Sequence, residues 1–298
     1  MHRVDWENVI AASLKDQWRR YRKKLKRCQR KFTETAVHES RVETRRMLSL
    51  VELLGVFLGQ RHLKKARRAL KEHLDTFDPL RDTQVQLLEV DKHLPVFPEL
   101  RKFHDALRKR ERRCLREARV RVRRLKTRQL NEVVAALKQQ LRAQRRHPAQ
   151  RVRHQTAVMN AVEEAFAQVV ELRRRMTLHN AETIHRTRIA FKKFRYMLEA
   201  LQPVFRELTR RRLAAMQDFQ AMLGDLQDTE VLLTRLDKFT GRKPARLKAL
   251  KSFREKLAHR RAAQIEQCLE SADAIFNFWP VKNAPVKPAR PAGGPMMQ

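Results

Sequence analysis

Three observations predict an all-α fold for this chain. Glycine is rare, with six in 298 residues, while Leu, Ala, Arg, Glu and Gln are abundant, a balance that favours helix over strand. Apolar residues keep helical rather than alternating spacing, as at Val133, Val134, Leu137 and Leu141. The chain also repeats itself. Val37-His38-Glu39-Ser40-Arg41-Val42-Glu43-Thr44-Arg45-Arg46 returns as Ile184-His185-Arg186-Thr187-Arg188-Ile189-Ala190-Phe191-Lys192-Lys193, and Leu80-Arg81-Asp82-Thr83 returns as Leu226-Gln227-Asp228-Thr229. His38 and His185 stand 147 positions apart, Asp82 and Asp228 146. Two motifs that keep one spacing indicate an internal duplication.

The elements follow in order. A first helix starts after Asp5, a good N-cap, and runs to Arg30. The His38 helix comes next and stops near Gly59, a residue suited to a helix C-terminus. A short helix is expected over residues 63–76. Asp78-Pro79, a cap followed by proline at the first helical position, opens another over 79–93. Pro95 and Pro98 break the chain, and one very long helix is expected from there to Arg146. After His147-Pro148 the order restarts, with helices at 152–176, 180–201, 213–223, 226–239 and 243–276. This places one helical repeat at 1–146 and a second at 147–279. Residues 280–298 are rich in Pro, Lys, Ala and Gly and are expected to be a disordered tail.

Charge narrows the partners. A formal net charge of +35, with Arg outnumbering Lys, strains a compact state unless an anion offsets it. Nucleic acid, an anionic membrane surface and a phosphate polymer are the candidates. Cys28, Cys114 and Cys268 are odd in number and widely spaced, which favours buried thiols in a reducing cytoplasm over a disulfide or zinc framework. No stretch has the ~20 apolar residues needed to span a bilayer. With Asp5 and Glu7 beside its apolar segment, the N-terminus does not read as a signal peptide. No glycine-rich phosphate loop is present, so no cofactor is expected.

On a helix turning ~100° per residue, His38, Arg41 and Arg45 lie within roughly 60° of one another, as do His185, Arg188 and Lys192. Each copy therefore points an imidazole and two cations one way. Met47, Leu50, Val51 and Leu54 fall on the far side of the first copy, and Phe194, Met197, Leu198 and Leu201 on the far side of the second. A comb of this kind suits a polyanion.

At these residues the chain resembles the CHAD family, the conserved histidine α-helical domain, over about residues 5–275. The motifs that carry the resemblance are His38-x-x-Arg41-Val42-x-x-Arg45-Arg46 and His185-x-x-Arg188-Ile189-x-x-Lys192-Lys193-x-Arg195-Tyr196. Phe219-Gln220-x-x-Leu223-Gly224-x-Leu226-Gln227-Asp228 resembles the family's second-half turn, and Arg81-Asp82 its first-half partner. The resemblance implies two pseudo-symmetric antiparallel four-helix bundles around a central basic groove or pore. It also implies binding of inorganic polyphosphate without turnover, cytoplasmic and in company with polyphosphate granules and their proteins. Two departures stand out. The family's base ten residues after the histidine is Arg195 in the second copy but Leu48 in the first, and Asp78-Pro79 stands where the second half has Gly224. The second half is expected to bind more strongly.

The expected polyphosphate ligands are His38, Arg41, Arg45, Arg46, His185, Arg188, Lys192, Lys193 and Arg195. Planar guanidinium forks suit paired phosphate oxygens, and imidazoles add donors that strengthen as pH falls. Further basic candidates are Arg19, Arg22, Lys26, Lys64, Lys65, Arg67, Arg68, Arg108, Arg112, Arg119, Arg210, Arg211 and Arg212, each read singly as a solvated face. Asp82 and Asp228 are read as buried acceptors that cap a helix or orient a groove arginine. No metal cluster or nucleophile accompanies the histidines, so no enzyme is expected. The alternative function is a helical RNA- or DNA-binding protein using the same surface.

Overall fold

The computed structural model describes residues 6–57, 60–123, 125, 127–144, 148–178, 180–205, 208–241 and 243–279. The expected cap Asp5, the stop at Gly59, His147 and the tail lie outside them. Among the described residues there are nine α-helices, three 3-10 turns and no strand. The helices are α1 (Trp6–Arg30), α2 (Glu34–Leu53), α3 (Gln60–His93), α4 (Arg101–Val122), α5 (Thr127–Gln144), α6 (Pro148–Arg174), α7 (Ala181–Leu201), α8 (Arg210–Thr240) and α9 (Pro244–Glu270).

Local chemistry sets several boundaries. The Thr33 hydroxyl accepts from the Ala36 amide at 3.2 Å to open α2, Asn180 does the same for Thr183 at α7, and Thr209 for Arg212 at α8. α2 gives way to a 3-10 turn, Leu54–Phe57, that lies against α5 and α6. A Cβ on Gly55 would stand 2.9 Å from Leu63 Cδ2, so a larger residue there would make that side chain shift.

Two expected breaks and one expected continuity are corrected. Residues 60–93 form one helix through Pro79, not two short ones. The missing Pro79 N–H removes one backbone bond, but Leu70 and Phe77 before it and Leu80 and Leu87 after it are all buried along the same helix. Asp78 is therefore not a cap and is free to pair elsewhere. The same logic carries α8 unbroken through Gly224, where a single glycine costs about 1 kcal/mol and Phe219, Leu223 and Leu226 stay buried. Conversely, the long helix expected to reach Arg146 is two. The buried stripe of α4 ends at Val122, and that of α5 runs from Leu130 to Leu141. In a continuous helix the α5 stripe would be rotated by roughly 130° from that of α4, and the break lets each face its own partner. The last expected helix stops at Glu270, and a 3-10 turn, Ala272–Asn277, follows.

Helices pack on their chain neighbours: α1 on α2, α2 on α3 and α3 on α4, then α6 on α7, α7 on α8 and α8 on α9. α5 folds back on α1 and α3 and has no counterpart among the later described helices. α2 and α7, the two helices with the repeated motif, lie against each other. The apolar positions expected opposite the histidines, from Met47 to Leu54 and from Phe194 to Leu201, are all buried. Helix α7 is clasped by the segment that follows α9: Phe278 meets Phe191 at 5.5 Å between centroids, and Trp279 meets Phe194 at 6.2 Å.

There are two cores. The larger one holds α1, α2, α5, α6 and α7 with parts of the rest. A smaller one joins the far ends of α3 and α4 to those of α8 and α9, through Leu87, Val90, Phe103 and Leu107 on one side and Leu232, Leu236, Phe253 and Leu257 on the other. Phe97 and Phe253 lie 5.4 Å apart across it, and Phe103 and Phe239 5.2 Å. The two repeats thus touch at α2–α7 and again at the helix tips, and the polar middle of α3 and α8 lies between.

Candidate polyanion-binding recess

The repeated helices direct their basic faces into this polar middle. Lys192 of α7 has Arg45, Arg188, Arg41 and Arg195 as its electrostatic neighbours, so side chains from both copies converge on one place. Its ammonium is half-buried, and burial followed by those four cations holds its pKa down to about 6. Arg45 and Arg188 are lowered too, first by burial. His38 is exposed, and its pKa is lowered by partial loss of water contact, then by Arg81, with Glu34 opposing and Arg41 and Lys192 adding.

Acids temper the cluster. Arg41, buried, donates to Asp78 Oδ1 through Nε at 2.7 Å and through a terminal nitrogen at 2.6 Å. Asp82 of α3 faces Arg41 and Arg45, and Asp228 of α8 faces Arg188 and Arg81. Both aspartates were expected to be buried; instead both are exposed to solvent. Their pKa values are nevertheless raised, chiefly by desolvation. Exposed carboxylates whose charge is disfavoured by nearby protein thus border the candidate recess. Arg110 of α4 and Arg235 of α8 approach the Asp82 side of it.

The remaining expected ligands divide. His185 hydrogen-bonds through Nδ1 to the Gln227 amide oxygen, which orients the ring. Arg195 is buried, donates to Gln220 Oε1 at 2.9 Å and to Glu199, and lies 4.7 Å over the Tyr196 ring. Arg46 is turned away from the recess, bonded to Glu43 at 2.9 Å and Glu199 at 3.1 Å. Lys193 meets Glu52 at 2.8 Å, and Arg67 meets the same carboxylate at 3.4 Å. Among the further candidates, Arg22, Lys26, Lys64, Lys65, Arg68, Arg112, Arg210 and Arg211 are exposed on the outside. Arg19 pairs with Asp16, Arg108 with Asp91 and Glu111, and Arg119 lies over Phe32. The Arg212 amide is the one capped by Thr209.

Sequence reading missed Arg110 and Arg235 as recess cations, since neither belongs to a repeated motif. It also missed that Arg81 stands beside His38 where its counterpart Gln227 holds His185. The offset of 146 relates the two and carried that signal.

An all-α fold with two repeated basic helices meeting over a shared recess defines a class of helical domains, and the comparisons identify it. The CHAD domain family matches residues 10–237, and the chain belongs to that family. The crystal structure of the CHAD domain from the plant Ricinus communis is similar to this chain at a TM-score of 0.66 and 19% identity, covering 91% of this chain and 90% of that one. At that identity the likeness establishes the fold alone. No curated protein matches.

No group of His, Cys, Asp and Glu arranged to hold a metal occurs among the described residues. The three cysteines are buried free thiols, and burial raises Cys28 to about 12 and Cys268 to about 11. No described helix is long and apolar enough to cross a membrane.

Proposed function

We propose that this protein binds inorganic polyphosphate, without turning it over, in the recess between its two repeats (1–146 and 147–279), and that binding recruits it to polyphosphate granules. The observation that supports this best is the convergence of Arg41, Arg45, Arg188 and Lys192, from both copies of the motif, on one water-accessible space. Arg81 and His38 extend the same wall. Cations packed this closely repel one another, and a ligand with a negative charge on every monomer relieves the repulsion along its whole length. The resemblance to polyphosphate-binding CHAD domains points the same way. Among the described residues no metal-holding group of His, Cys, Asp and Glu and no activated nucleophile stands beside these cations, and binding rather than hydrolysis is the proposed activity.

Nucleic acid is the competing polyanion. A single-strand binder offers aromatic faces for bases to stack on. Here Tyr21, Tyr196, Trp18 and Trp279 are buried, and no aromatic residue is among the exposed large hydrophobics of the described residues. Polyphosphate has no bases and needs no such platform.

The test is binding of purified protein to long polyphosphate and to RNA of equal charge at about 0.15 M salt, where weak nonspecific contacts are screened. An Arg41→Ala/Arg188→Ala variant runs alongside. Tight polyphosphate binding that the variant loses, with weak RNA binding, is expected. Equal affinity for both polymers, unmoved by the double substitution, would refute the proposal and leave a generic basic surface.

A further inference from the structure

The two halves of the recess are built from the same motif but are not equally open. In the first half Arg41 is engaged by Asp78 through two short hydrogen bonds. Arg188 is its counterpart in the second half, and there the structure differs. The Arg188 Nε is buried and makes no hydrogen bond.

The residue equivalent to Asp78, by the spacing that relates Asp82 to Asp228, is Gly224. Side-chain bonds fix its place. α7 and α8 run antiparallel, with His185 bonded to Gln227 and Arg195 to Gln220. Gly224 lies between those glutamines and on their face of α8, four residues after one and three before the other, so it stands level with Arg188. A Cβ placed on Gly224 would meet nothing within 4 Å. The second half therefore has open space where the first half has a carboxylate.

We infer that Arg188 beside Gly224 is the primary phosphate subsite of the recess, and that Asp78 is an internal anion occupying the equivalent subsite at Arg41. Asp78 stands in for a phosphate: it presents one oxygen to two guanidinium nitrogens, as a phosphate oxygen would. Its side chain is 37% exposed, so it can be displaced outward without unpacking the core. A polyphosphate chain engages Arg188 directly, and reaches Arg41 only by ejecting Asp78. The inference rests on the function proposed above and makes the recess directional, strong on the α7–α8 side and gated on the α2–α3 side.

Four single substitutions test it, with polyphosphate of one defined length and affinity read by calorimetry. Asp78→Asn removes the competing charge while keeping the side-chain size. Asp105→Asn makes the same charge change at a distant exposed site. Gly224→Asp builds the first-half arrangement into the second half, and Gly224→Asn adds the same bulk without charge. Asp78→Asn should tighten binding several-fold more than Asp105→Asn does, and Gly224→Asp should weaken it roughly tenfold beyond Gly224→Asn, the scale of one charge-assisted contact. Should Asp78→Asn unfold because buried Arg41 loses its partner, the Gly224 pair decides alone. If Asp78→Asn matches Asp105→Asn, or Gly224→Asp matches Gly224→Asn, the inference is overturned while the functional reading stands. A wild-type protein that fails to bind polyphosphate overturns both.

Discussion

Replacing Lys192 with arginine should abolish a proton uptake that accompanies polyanion binding. In the free protein this ammonium is half-buried beside four arginines, and its pKa is about 6 rather than the ordinary 10.5. At pH 7.5 only about 3% of molecules then carry the charge. A polyphosphate lying against the same arginines cancels their repulsion and returns the pKa toward its ordinary value, so close to one proton is taken up on binding. The sign follows from linkage. The group is raised in the bound state, so its contribution is full below the free pKa and is lost as pH rises toward the bound pKa. Through that window affinity falls by up to tenfold, about 1.4 kcal/mol, per pH unit. Below about pH 6 the Lys192 contribution is flat, and the remaining slope belongs to His38, whose pKa is lowered by burial and by Arg81. Calorimetry at pH 7.5 in two buffers of different ionisation enthalpy counts the protons. Wild type should take up about one through this site, and Lys192→Arg, permanently charged, almost none while still binding. Tight wild-type binding without uptake, or the same uptake in Lys192→Arg, would refute this account of the recess.

Three further outcomes are expected. His73 is fully buried against the Tyr21 hydroxyl with a pKa of about 4, lowered by burial, so stability is full above about pH 6.5 and falls by about 3 kcal/mol as pH drops toward 4; His73→Gln should flatten that part of a melting-temperature profile. Phe253→Ala should cost about 3–5 kcal/mol in denaturant unfolding, because its ring, fully buried, packs on Phe97 and on His93 at 5.3 Å in the core that ties the helix tips together. Gly224→Ala should stabilise by about 0.5–1 kcal/mol, roughly 2 °C in melting temperature, since it sits inside α8 with room for a methyl group; a lower melting temperature would mean the helix needs glycine there.

The helical fold was legible because periodicity survives in every long segment, and the duplication because His38 and His185 keep one offset with Asp82 and Asp228. The convergence of Arg41, Arg45, Arg188 and Lys192 followed from helix geometry plus that repeat. What sequence could not supply was which cations are already spent. Arg46 and Lys193 read like their neighbours along the chain, yet acids far away in sequence take them: Glu199 is 153 positions from Arg46, and Glu52 is on another helix from Lys193. Local punctuation misled for a related reason. Pro79 and Gly224 are helix breakers in isolation, but burial on both sides outweighs a cost of about 1–3 kcal/mol. No breaker marks the turn between α4 and α5, which comes instead from two apolar stripes that must face different partners.

The recess also explains how a chain of charge +35 tolerates its own motif. Two devices lower the local charge in the free protein. Asp78, Asp82 and Asp228 supply carboxylates, and Lys192 gives up its proton. Both are reversible, and in the proposed mode of binding a polyanion reverses both, displacing Asp78 from Arg41 and restoring the proton to Lys192. The repulsion is thus held in check until the ligand arrives, without the apolar burial of an ion pair that would close the site permanently. Each motif arginine has one carboxylate facing it, Asp82 for Arg41 and Asp228 for Arg188, but Arg41 has Asp78 bonded to it as well where Arg188 has open space at Gly224. On the inference drawn above, the two half-sites are therefore unequal and the Arg188 end is the stronger. Affinity should accordingly be more sensitive to Arg188→Ala than to Arg41→Ala, because the latter also releases the ligand from competing with Asp78.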